Sequence, residues 1–252
     1  MKRKIILLSL LITSAASSFA QDANEILKRY LKETKIETIA NAEKLCFMME
    51  TDATTKAAGQ TIEAKSKIIM SNPDGKFRIE TNAAGNDILM VSDGTNGWML
   101  VQGTVQDIPA DQIKQMKEQN NSISNYTYAD YNLKFVESKD GQDIIKATHK
   151  TLDGVEMLIA FDKGTGLIST TTTDTNGMKI VSKCLNYKDF NGIKMPEKME
   201  VETNGKPTST IIINDFNANY KPDESTFAKP EGSSGGGIKG FGGMKLLPKK
   251  KK

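Results

Sequence analysis

Histidine occurs once, at position 149, and no Cys-x-x-Cys spacing is present. A zinc centre or a Ser-His-Asp triad would have to rest on His149 alone, so no catalytic constellation and no cofactor is expected. His149 reads instead as a surface residue of a strand. Cysteine is almost as scarce: Cys46 and Cys184 each lie in an apolar run, and the pair is either a disulfide or two separately buried thiols. Beyond the N-terminus no run approaches the roughly 20 apolar residues a membrane-spanning helix needs. An excess of basic charge is missing too. Residues 21–229 hold 25 basic against 30 acidic side chains, which argues against a nucleic-acid partner.

The two ends carry what the body lacks. Lys2, Arg3 and Lys4 precede the apolar run Ile5 to Ile12, and Ser18-Phe19-Ala20 follows. This is the pattern of a secretory signal peptide over 1–20, so the chain is expected to be exported and cleaved near Ala20. Residues 232–252 are rich in glycine and end in four lysines. They are expected to form a disordered tail, either a merely solvated end or one attracted to an anionic surface by about 1 kcal/mol per lysine. Between these ends, 21–231 is long enough for one domain with its own core.

That domain centres on Lys67 to Val101, where three strand-like runs alternate apolar and polar residues around Asp-Gly and Asn-Gly turn signals. Asp93 and Gly94 are read as turn formers. Before this block, Asp22 with Glu25 makes a helix start, and Ile26, Leu27, Tyr30 and Leu31 recur at helical spacing toward Ala42, with a bend near Thr34. A hairpin is expected around Lys56-Ala57-Ala58-Gly59. Pro109 opens a second helix over Ala110 to Gln119. From Tyr126 onward, turn dipeptides such as Asp140-Gly141, Asn191-Gly192 and Asn204-Gly205 fall about a dozen residues apart, the spacing of a meander. Roughly ten strands and two helices are expected, in a mainly β, α+β fold: a strongly curved antiparallel sheet covered on its concave side by the helices.

Three motifs, in this order, sharpen the reading: Asn72-Pro73 with Phe77-Arg78-Ile79-Glu80, Ser92-Asp93-Gly94 with Trp98, and Phe227 with Pro230-Glu231-Gly232. Together they make the chain resemble the LolA-like superfamily of periplasmic lipoprotein carriers. Two positions depart from that family's pattern: Asn72 stands where an arginine is usual, and Met99-Leu100-Val101 replaces an aromatic and a proline. The resemblance implies a half-open β-barrel covered by an N-terminal helix and a short lid helix, and a monomeric periplasmic carrier for lipoprotein acyl chains or another lipid. Its partners would be an inner-membrane release complex and an outer-membrane acceptor. The departures leave room for an envelope sensor or protein-interaction module of the same shape.

A loosely covered apolar face needs no catalytic group to hold an acyl chain, since burial yields about 0.8 kcal/mol per CH₂. The candidate lining is Phe77, Ile79, Met90, Trp98, Leu100, Met157, Ile159 and Met199, with methionine supplying an adaptable surface or simply filling a core. Arg78 alternates with Phe77 and Ile79 and is expected on the opposite, solvent-facing side.

Overall fold

Asp22 caps the first helix, α1 (Ala23–Thr34), by accepting the Asn24 backbone N–H at 2.9 Å. Ile26 and Tyr30 form its buried stripe. The helix stops where Thr34 turns its hydroxyl back to the Tyr30 carbonyl and Lys35 adopts φ 58°; the chain then resumes as the single turn α2 (Glu37–Ala40). The expected bend near Thr34 is thus a break between two helices. The computed structural model describes residues 22–40, 45–57, 59–72, 74–119, 127–151, 154–175 and 177–234. The expected signal peptide, and the tail from 235 onward, lie outside the described residues.

After α2 the chain runs β1 (Leu45–Ala57), β2 (Gln60–Asn72), β3 (Lys76–Ala83), β4 (Asn86–Ser92), β5 (Gly97–Val101) and β6 (Thr104–Ile108), then α3 (Ala110–Gln119). A second meander follows: β7 (Tyr131–Lys139), β8 (Gln142–His149), β9 (Glu156–Asp162), β10 (Ile168–Thr175), β11 (Met178–Phe190), β12 (Ile193–Thr203) and β13 (Lys206–Asn217). A 3-10 turn at Glu224–Phe227 and the two-residue β14 (Ser233–Ser234) complete the order.

All strands among the described residues belong to one sheet, β14-β6-β5-β4-β3-β2-β1-β13-β12-β11-β10-β9-β8-β7. Its two ends do not meet, and every pairing except β14 with β6 is antiparallel. The expected open half-barrel with helices is therefore the observed architecture. Fourteen strands exceed the roughly ten expected. The excess comes from the five-residue β6, the two-residue β14 and the threonine-rich β10, which has no apolar alternation to betray it. Ser233 and Ser234 pair with Thr104 and Val105 of β6, and the Ser233 backbone N–H donates to the Gly103 carbonyl at 3.0 Å. Among the described residues no helix is long and apolar enough to cross a membrane.

The main core lies between α1, α2 and one face of the sheet. It contains Ile26, Tyr30, Phe47, Ile145, Ile159, Phe161, Ile213 and Phe216. Each large side chain removed from water there contributes about 1.5–3 kcal/mol. One carboxylate is sealed in at the edge of this packing: Asp143 accepts from the Ser138 hydroxyl and faces Lys163 Nζ at 3.6 Å and Arg29 of α1 at 3.8 Å. His149 packs edge-to-face on Tyr131 at 5.0 Å.

Helix α3 covers the other end of the same face. A Cβ on Gly97 would sit 2.1 Å from the Ile113 Cδ1, so only glycine lets α3 lie this close. Opposite strand residues share a face, and the row Phe47, Met70, Phe77, Ser92, Gly97 ties both helix contacts to one side of the sheet. We call it the helix side.

The reverse face is crossed by residues 218–234, a strap. Tyr220 donates its backbone N–H to the Cys46 carbonyl, and Phe227 plugs a second apolar cluster with Met48 and Ile69. Lys229 then lies over the Trp98 ring at 5.8 Å and pairs with Asp107 at 3.3 Å. Gly232 closes the crossing where a Cβ would come within 2.8 Å of the Gly103 carbonyl oxygen.

Candidate functional site

Strand register sorts the charges of this sheet with little exception. Across β1 to β6, and along β13 from Ser209 to Phe216, no Lys, Arg, Asp or Glu stands on the helix side. Glu50, Asp52, Lys65, Lys67, Arg78 and Glu80 all point to the strap side, several of them in cross-strand pairs such as Lys67 with Glu50 at 3.3 Å. The charge-free face is instead paved with Ile68, Met70, Ile79, Met90 and Ile211, all only half-buried. Helices α1 and α2 shelter one end of it and α3 another.

Six of the eight proposed lining residues share this face. Phe77, Ile79 and Met90 lie in adjacent rows of β3 and β4; Met199 extends the surface across β12, and Met157 and Ile159 extend it across β9. Within that set, Phe77 and Ile159 are buried, and Ile159 belongs to the core under α1. Trp98 and Leu100 do not join them. Ser92 pairs with Gly97 across the Asp93 turn, so Met90 faces Met99 while Val91 and Leu89 face Trp98 and Leu100. The last two therefore point to the strap side, where Lys229 and Gly232 cover them. Met99, Ile68 and Met70 take their places on the helix side, and only the register reveals it.

Other expectations are corrected by the same geometry. Arg78 does lie opposite Phe77 and Ile79, but it is not solvent-facing: its side chain is 25% exposed, bonds Glu80 at 2.6 Å and donates to the Thr226 carbonyl of the strap. Met48 faces the strap, and Met178 is exposed at a hairpin end. Both cysteines are free thiols. Cys46 on β1 points to the strap side, whereas Cys184, opposite Met199 on β11, is on the helix side, with β13 and β12 between their strands. No disulfide can join thiols on opposite faces three strands apart. Burial pushes both thiols above their ordinary pKa. It pushes the Tyr187 phenol up as well, whose hydroxyl donates to the Ile168 carbonyl.

Asp93 builds its turn as expected, accepting the Thr95 and Asn96 N–H groups at 2.7 Å each. Among the described residues no group of three or more His, Cys, Asp or Glu is placed to hold a metal ion. An open groove of about 790 Å³ lies on the other face, and its charged lining, including Glu50, Lys67, Arg78 and Asp87, belongs to the strap side. We regard the helix side as the better candidate for an apolar ligand, because groove walls of paired charges offer little to a hydrocarbon chain.

The structure is thus an open antiparallel sheet with helices over one face, which is charge-free across β1 to β6 and along β13 from Ser209 to Phe216. No family model and no curated protein matches the chain. Solved structures do. A LolA superfamily protein from Nitrosomonas europaea is similar with a TM-score of 0.56 at 15% identity, over 83% of this chain and 99% of that one. A DUF1329 family protein from Desulfovibrio piger has a TM-score of 0.53 at 14% identity, over 81% of this chain and 96% of that one. A domain named for outer membrane lipoprotein sorting, from Vibrio parahaemolyticus, has 0.53 at 14%, over 82% and 98%. The chain has the LolA-like fold.

Proposed function

We propose that this chain is an exported, periplasmic lipid carrier that holds lipoprotein acyl chains, or those of another lipid, on the helix side of its half-barrel. The observation that carries the reading is the sorting of charge: across seven strands one face of the sheet holds no charged residue, and beside the positions buried under the helices its Ile68, Met70, Ile79, Met90 and Ile211 stay partly exposed. A protein that needed this face only for its own core would bury it. Polarizable methionines re-pack around irregular apolar chains, and an acyl chain gains about 0.8 kcal/mol per CH₂ buried. The fold shared with a LolA superfamily protein and a lipoprotein-sorting domain supports the reading. On it, residues 1–20 are a cleaved signal, 21–231 with the short β14 are the carrier body, and the lysine-ended tail touches anionic surfaces. Delivery would run from an inner-membrane release complex to an outer-membrane acceptor, with the carrier a monomer and no catalytic step.

Native mass spectrometry with lipid extraction, on mature protein purified gently from its own envelope, tests this. Near-stoichiometric lipid or acylated protein is the expected result. An empty protein that also fails to bind a fluorescent acyl probe would overturn the proposal. A second reading, an envelope sensor or interaction module, is favoured by the polar strap-side groove of about 790 Å³. A stable protein complex, isolated free of lipid, would support it instead.

A further inference from the structure

The charge-free face is not uniformly apolar. Toward the hairpin turns near Gly59 and Gly205, rows of hydroxyls interrupt it. Thr51, Ser66 and Thr81 form one row across β1, β2 and β3; past the apolar row of Ala53, Ala64, Ala83 and Ile211, Thr55 pairs with Ser209 of β13 in a second. Past Val201 of β12, Ser182 and Thr171 carry the band across β11 and β10. Ser66 and Thr81 bond each other at 3.0 Å, as do Thr55 and Ser209. Each such pair uses one of its two hydroxyl protons, so a donor and several lone pairs remain for a ligand. All four of these side chains are half-buried.

We infer that this hydroxyl band selects the headgroup: the ligand is an amphiphile whose head is uncharged and hydrogen-bonding, such as a glyceride, and anionic amphiphiles are rejected. The inference rests on the carrier reading of the same face. Its acyl chain lies over Ile68, Met70, Ile79 and Met90, and its ester and hydroxyl groups meet Ser66 and Thr81 of the adjacent row. A carboxylate or phosphate placed there would lose hydration without a counter-charge, because Lys65 and Lys67, the lysines flanking Ser66 in sequence, project from the reverse face. An uncharged head loses less and recovers its hydrogen bonds.

The test uses the full mature chain and displacement of a neutral fluorescent acyl probe by monoolein, oleate and oleoyl lysophosphatidate, at a pH where both acids are ionised. Monoolein is expected to displace the probe at about tenfold lower concentration than either anion, the cost of desolvating an unpaired charge at a half-buried site. Ser66→Ala with Thr81→Val should shrink that ratio by weakening monoolein, and Ser66→Lys should favour the anions. Equal displacement by all three in the wild-type protein, or preference for an anion, overturns the headgroup inference and leaves the carrier reading intact. A probe that does not bind at all overturns both.

Discussion

Gly97 is the point where α3 meets the sheet, and replacing it with alanine isolates that contact. The backbone there needs no glycine; the obstacle is the Ile113 Cδ1, 2.1 Å from where the methyl would sit, with Cγ1 at 2.9 Å. Ile113 is 2% exposed, so its side chain has little room to retreat. Overpacking of this kind costs about 1–3 kcal/mol. Ile113→Ala alone should cost about 2–4 kcal/mol through the cavity it leaves. In that background the added methyl meets space instead of a wall, so Gly97→Ala becomes neutral or slightly stabilising, and the two changes couple by about 1–3 kcal/mol. Urea unfolding followed by the fluorescence of Trp98, the single tryptophan and the next residue in the chain, reads all four corners of the cycle. Additivity within about 0.5 kcal/mol would refute the seating of α3 on Gly97.

Asp143→Ala should destabilise by about 2–3 kcal/mol, below the usual figure for a buried ion pair because Arg29 and Lys163 are part-exposed. Lys163→Ala alone should cost under about 1 kcal/mol; equal losses would show that Asp143 is not the centre of the cluster. Phe227→Ala empties the strap-side cluster. It should cost about 3 kcal/mol and open the C-terminal strap to limited proteolysis; an unchanged cleavage pattern would count against the strap being anchored there. Two free thiols should titrate in the denatured, non-reduced protein, and a single free thiol, or none, would contradict their placement on opposite faces. Thr165, through its backbone N–H and its hydroxyl, holds the Asp162 carboxyl below the usual range. A depressed pKa contributes stability above the unfolded value that is lost as pH falls through the folded one. Asp162→Asn should therefore flatten the acid limb of the stability curve; an identical acid limb would argue against the turn contact.

Much of the local structure was legible without coordinates. The Asp22 cap, the bend near Thr34, the helix from Ala110 to Gln119 and the turn at Asp93 follow from residue chemistry within a few positions, and each lies where expected. Threonine-rich β10 escaped notice because strand propensity without alternation leaves no periodic signal. The candidate face was half legible: Phe77, Ile79 and Met90 were placed together because they alternate along neighbouring runs.

Alternation says which residues of one strand share a face, and for β3, β4 and β5 the sequence alone determined that much. It does not say how one strand's phase joins the next. That phase is set by the pairing across each turn, and the Ser92 to Gly97 register sends Trp98 and Leu100 to the side opposite Met90. Only the tertiary structure decided that Cys46 and Cys184 face away from each other, that the strap covers Arg78 and Trp98, and that all the charge of the first six strands gathers on one face. The physical reason is the two-residue period of a strand: a shift of one residue at a single turn exchanges the faces of everything beyond it.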